Sequence, residues 1–224
     1  MHKYKPGTIL SYANSLIKYS PKTKWSQLSK LKHYMHNHIS TYMFSNRDYF
    51  DNNSKPKQFN VSTIINNLTT KKYGICMELN GAFNSFLHSQ NYQSHLVKCY
   101  KQKQDSGEFY KVFHAGIIVN IDGLPYFVDV GFGEYFTEPI LLKETSQNTG
   151  NINIKTICNE IYLTKGDKQI FKISGKASIK EINENYCDFF SGKHKDFPLC
   201  KYLFERIYDP TNNAFNEPKI QAKL

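Results

Sequence analysis

Arginine is nearly missing from this chain. Arg47 and Arg206 are the only two, although the formal net charge is +10. The positive charge is carried by scattered lysines. It favours an anionic ligand, but proteins that read nucleic-acid bases lean on the guanidinium fork, so no nucleic-acid partner is expected. Nowhere does an apolar run reach the roughly 18 residues of a spanning helix, and no membrane partner is expected. The opening MHKYKPGTIL has too short an apolar part for a secretion signal, so a cytoplasmic location is expected. The five cysteines, Cys76, Cys99, Cys158, Cys187 and Cys200, form no CxxC pair and are odd in number. That argues against a disulfide framework and a zinc ribbon. His33, His36 and His38 lack the i, i+4 spacing by which a helix holds zinc, and no metal is expected. No internal repeat appears.

What is present is aromatic and apolar: 16 Tyr, 16 Phe and 40% hydrophobic residues, enough for a substantial core. Up to about residue 91 the period is helical. Pro6-Gly7 reads as a turn. Leu28, Leu31, Met35, His38, Ile39 and Tyr42 recur at helical spacing behind Ser26, a candidate N-cap. Residues 45–60 read as a loop. A short helix is expected from Val61 to about Thr70, capped by Ser62. From Ser94 onward the period changes to two. Strands are expected over 94–100, 112–121 and 124–130, then shorter ones around 140–142, 156–157, 160–164 and 169–173. A helix over 177–190 and strand-like runs after 201 complete the chain.

Two local features carry chemistry. Gly74-Ile75-Cys76 leads into a segment in which Leu79, Ala82, Phe83, Phe86 and Leu87 mark one helical face. Cys76 then lies in the first helical turn, where unpaired N–H groups and the helix dipole favour a thiolate. Taken alone, the segment fits equally well a core cysteine that happens to open a helix. The second feature is Asp122-Gly123, a strong hairpin signal. A turn centred there places Ile121 opposite Leu124 and His114 opposite Gly131, with Asp129 the diagonal neighbour of His114 on one face. Diagonal pairs lie about 7–8 Å apart at Cα and closer at the side-chain tips. An odd loop length would reverse the parity. Asp129 sits in an apolar run, where a carboxylate is either turned to water at an edge or hydrogen-bonded. With a His partner it completes a nucleophile, a base and an orienter: Cys76, His114 and Asp129.

Taken together, Gly74-Ile75-Cys76-Met77-Glu78-Leu79-Asn80, then His114, then Asp129-Val130-Gly131-Phe132-Gly133 resemble the motifs of the arylamine N-acetyltransferases. The resemblance covers most of the chain and is strongest from 72 to 133. It implies an α+β fold with a helical bundle (residues 1–91) carrying the cysteine. A central antiparallel β-barrel (92–165) would carry His and Asp, and a reduced α/β lid (166–224) would follow, on a papain- or transglutaminase-like cysteine core. The implied function is ping-pong acetyl transfer from acetyl-CoA to an arylamine or arylhydrazine, with Gly131, Phe132 and Gly133 bordering the substrate and CoA pocket. A related Cys-His-Asp hydrolase or amide-forming enzyme, taking another thioester or a peptide, is the alternative. Departures fall beside the cysteine: the family's Arg-Gly is Lys72-Tyr73, and its Pro and Glu near residue 44 are Met43 and Ser45. A tyrosine in a glycine position requires a backbone angle that residues with a Cβ tolerate. Neither the acceptor nor the oligomeric state follows from the sequence.

Overall fold

A computed structural model describes residues 6–18, 24–51, 57–103, 105–143 and 152–222. The N-terminal part is helical: α1 (Pro6–Ile17), α2 (Gln27–Thr41), α3 (Arg47–Asp51), α4 (Val61–Lys71) and α5 (Cys76–Ser89). Pro6 opens a helix rather than making the expected turn. Its missing N–H falls where a helix start leaves that donor unpaired in any case. Ser26 caps α2 as expected, accepting from the Ser29 amide at 3.1 Å. The cap of α4 is Asn60, not Ser62: its side chain accepts from the Thr63 amide at 3.0 Å. The loop expected over 45–60 contains α3, and its stretch from Asn52 to Pro56 lies outside the described residues.

Every residue of α5 from Cys76 to Phe83 is buried, because the helix is covered on several sides. It packs on α4 and on two strands, β3 (Gln93–Tyr100) and β4 (His114–Ile121). The sheet continues with β5 (Leu124–Val128), β6 (Ile140–Leu141), β7 (Ile152–Ile157), β8 (Glu160–Lys165) and β9 (Lys168–Lys176), in the order β6-β5-β4-β3-β9-β8-β7. It is an antiparallel sheet curled into a half-barrel with β6 and β7 at its edges, where the resemblance implied a β-barrel. Since β9 lies between β3 and β8, the sheet runs past residue 165, where the sequence suggested a boundary. The β4–β5 register is the expected one: Ile121 faces Leu124, and Asp122 and Gly123 both take positive φ (52° and 78°) in the turn.

A smaller sheet holds the approach to Cys76. Here β1 (Met43–Ser45) pairs in parallel with β2 (Tyr73–Gly74). On its other side β1 pairs with β10 (Tyr202–Arg206), which carries β13 (Lys219–Ala222) outside it. Helix α6 (Ile179–Phe190), the short α7 (Pro198–Lys201) and the pair β11 (Tyr208–Asp209) and β12 (Ala214–Phe215) complete the chain. One continuous core joins helices and sheet. Among the described residues, no helix is long and apolar enough to cross a membrane.

Candidate active site

Cys76 is the first residue of α5, as its sequence position suggests, and is largely buried. The residue before it, Ile75, is extended, and its amide donates to the Glu78 carboxylate at 3.0 Å. Glu78 in turn accepts from the Tyr186 hydroxyl of α6 at 2.6 Å. A buried acid thereby pins the helix start. Burial raises the Glu78 pKa, opposed by the Tyr186 hydroxyl and the Ile75 amide. A Cβ on Gly74 would come within 2.9 Å of that carboxylate, so glycine is what the clamp admits there.

His114 opens β4, and Asp129 follows the last residue of β5. Strand pairing between the two stops at Ile117 and Val128, so Asp129 acts from a turn rather than from within the ladder. Its carboxylate is fully buried and fully engaged. One oxygen, Oδ2, meets His114 Nε2 at 2.6 Å. The other, Oδ1, accepts from the amides of Gly131 (2.8 Å) and Phe132 (2.9 Å) and from Asn80 Nδ2 (2.9 Å). Four partners offset the desolvation of a buried charge. Nε2 is committed to Asp129, and the Cys76 side chain is the second hydrogen-bonding partner of the ring. Burial pulls the imidazole toward neutrality. The charges of Asp129 and Cys76, with their hydrogen bonds, outweigh it and push the His114 pKa up to about 10.

Three contributors had no role assigned from the sequence. Asn80 stands one turn after Cys76 on the same helix face. It donates to Asp129 and to the Ala115 carbonyl (2.7 Å) and accepts from the Val130 amide (2.9 Å). Its helical spacing from Cys76 was the available signal. Phe171 of β9 stacks on the His114 ring at 4.8 Å and fixes its plane; no local pattern announces that long-range contact. Lys101 lines the cleft described next.

That cleft, of about 340 Å³, opens beside Cys76 and His114. Its wall is largely aromatic, with Phe44, Phe113, Phe132, Phe171, Phe197 and Phe204. Of the three turn residues, Phe132 is on the wall. Gly131 instead packs against the helix: a Cβ there would lie 2.7 Å from the Cys76 Cα. Gly133, at φ 70°, turns the chain beside Phe44 and Arg206. The two glycines bring the loop close rather than line the cleft.

The unusual residues beside Cys76 are accommodated. Left-handed backbone falls on Lys72 (φ 65°), the C-cap of α4, and not on Tyr73, which is an ordinary strand residue paired with Met43. The Tyr73 hydroxyl donates to Asp48 at 3.0 Å, and Lys71 and Lys57 pair with the same carboxylate at 2.7 and 3.1 Å. Ser45 donates to Glu205 at 3.0 Å, which also takes Arg47 at 2.8 Å.

Known proteins resemble this chain in sequence and in fold. The N-acetyltransferase family model matches residues 27–173. An uncharacterized acetyltransferase of Acanthamoeba polyphaga mimivirus is 42% identical over 200 residues, covering 85% of this chain and 92% of its own. The arylamine N-acetyltransferase structure of Mycobacterium marinum superposes with a TM-score of 0.78 at 16% identity, over 95% of this chain and 80% of its own. The same enzyme in complex with CoA gives 0.75 at 16% identity, over 96% and 80%. On the family match and the close viral relative, this chain belongs to the arylamine N-acetyltransferase family and is an acyltransferase.

Proposed function

We propose that the chain transfers an acetyl group from acetyl-CoA to the amine of an arylamine or arylhydrazine, in two half-reactions through an acetyl-Cys76 intermediate. The observation that carries this reading is the hydrogen-bonded series Asp129, His114, Cys76 at the rim of an aromatic cleft. A positively charged His114 beside the sulfur favours the thiolate, which is the nucleophile. In the first half-reaction the Cys76 sulfur attacks the thioester carbonyl. As the tetrahedral intermediate collapses, His114 gives its proton to the departing CoA sulfur. In the second, the amine nitrogen attacks the acetyl-cysteine carbonyl, His114 takes the amine proton, and Cys76 leaves as thiolate. Asp129 keeps the ring in one tautomer and angle throughout.

The aromatic wall suits a flat apolar acceptor. The net positive charge suits a donor that carries phosphates, and the Mycobacterium marinum relative has been solved with CoA bound. Cys76→Ser is expected to abolish acetylation of aniline by acetyl-CoA, with the thermal unfolding midpoint close to that of the wild type. Turnover surviving in Cys76→Ser contradicts the reading.

A further inference from the structure

The cleft holds one cation to which acetyl transfer gives no role. Lys101 directly follows β3, and its side chain is exposed to the cleft that holds Cys76 and His114. Among the described residues it is the only lysine or arginine on that wall. Its ammonium lies 5.6 Å from the Phe132 ring centroid, and the same ring stands 5.5 Å from the His114 ring. The cation is therefore one aromatic ring away from the reacting groups.

Among the described residues the Lys101 ammonium makes no ion pair and no hydrogen bond, whereas several charged groups around it are engaged. Glu134, which also lines the cleft, pairs with Arg206 at 3.5 Å. Lys168 donates to the Tyr135 hydroxyl at 3.1 Å. Asp105 lines the cleft as well, outside ion-pair distance of Lys101. Arg206 keeps a buried Nε with no partner among the described residues. Burial holds Lys101 below the usual lysine range; Glu134 opposes that shift, and the neighbouring Lys168 and Arg206 add to it. A cation facing an aromatic cleft, with no carboxylate at ion-pair distance and with Lys168 and Arg206 acting on it, fits a ligand with an apolar body and an anionic end.

We propose that Lys101 is a specificity-determining residue whose ammonium pairs with a carboxylate or phosphate on a ligand seated in the cleft, selecting anionic ligands over neutral ones of the same shape. This rests on the reading that the cleft beside Cys76 is where substrates sit. The anion has two sources there: a carboxylate on an aromatic acceptor, or a phosphate of the CoA donor.

The test measures how each of four unreactive molecules protects Cys76 from iodoacetamide. They form two pairs, benzoate with benzamide and S-methyl-CoA with S-methylpantetheine. In the wild type, the anionic member of at least one pair is expected to protect at a concentration about tenfold lower than its neutral counterpart. Lys101→Met is expected to reduce that preference to about twofold or less, and Lys101→Arg to retain most of it. The pair that responds identifies the source of the anion. Absence of any preference in the wild type, or a preference that survives Lys101→Met, overturns the proposal. No acetyl transfer is needed for this readout, so failure of the transfer reading shows separately, as wild-type protein that acetyl-CoA does not acetylate.

Discussion

At the scale of single residues, the chemistry rests on how His114 is divided between two partners. Nε2 is held by a buried carboxylate at 2.6 Å, and Cys76 is the ring's other partner. Phe171 stacked at 4.8 Å prevents the ring from rotating out of that line. With its pKa near 10, His114 stays protonated across neutral and mildly alkaline pH while the pair is intact. His114→Gln is expected to slow alkylation of Cys76 by iodoacetamide about tenfold or more at pH 7. Equal rates would show that His114 does not activate the sulfur.

At the scale of elements, the site is a junction of α5 with the ends of β4 and β5, and Asn80 is the tie. One side chain bonds the Ala115 carbonyl in β4, the Val130 amide after β5, and Asp129. Asn80→Ala leaves a buried carbonyl and a buried amide unpaired and loosens the carboxylate. A loss of about 2–4 kcal/mol in unfolding free energy is expected, by the usual penalty of stranding buried polar groups. It would be read from denaturant titration, together with slower Cys76 alkylation. A loss well under 1 kcal/mol would mean that the junction is held by apolar packing alone. These local elements were legible in the sequence for a physical reason. Helix α5 announces itself by its apolar period, and the β4–β5 hairpin by Asp122-Gly123, whose positive φ angles fix the register that brings His114 to Asp129. The left-handed backbone at Lys72 was not legible, since it depends on where α4 ends.

At the scale of the whole molecule, what escaped the sequence is what long-range pairing creates. The smaller sheet joins β1 and β2, strands of three and two residues too short to show a period, to β10 and β13, far away in the chain. The insertion of β9 between β3 and β8 likewise depends on contacts far apart in the chain. The shared core also contains His38, fully buried against Tyr42 and Phe83, with both ring nitrogens lacking partners among the described residues. Burial lowers its pKa from 6.5 to about 3. Between those values the unfolded chain binds a proton that the folded chain refuses. Stability therefore falls as pH drops through that window, by up to ~1.4 kcal/mol per pH unit from this group. His38→Phe should remove that contribution, so that its advantage over the wild type in urea midpoint grows from pH 7 to pH 4. A constant difference would locate the acid sensitivity elsewhere.

Whether Cys76 carries the acetyl group between donor and acceptor is decided by the intact mass of the protein after incubation with acetyl-CoA alone. One added acetyl group is expected, located on Cys76 by peptide mapping, lost when an arylamine is added, and absent from Cys76→Ser. Wild-type protein that acquires no acetyl group, or acquires it equally in Cys76→Ser, would contradict an acetyl-Cys76 intermediate.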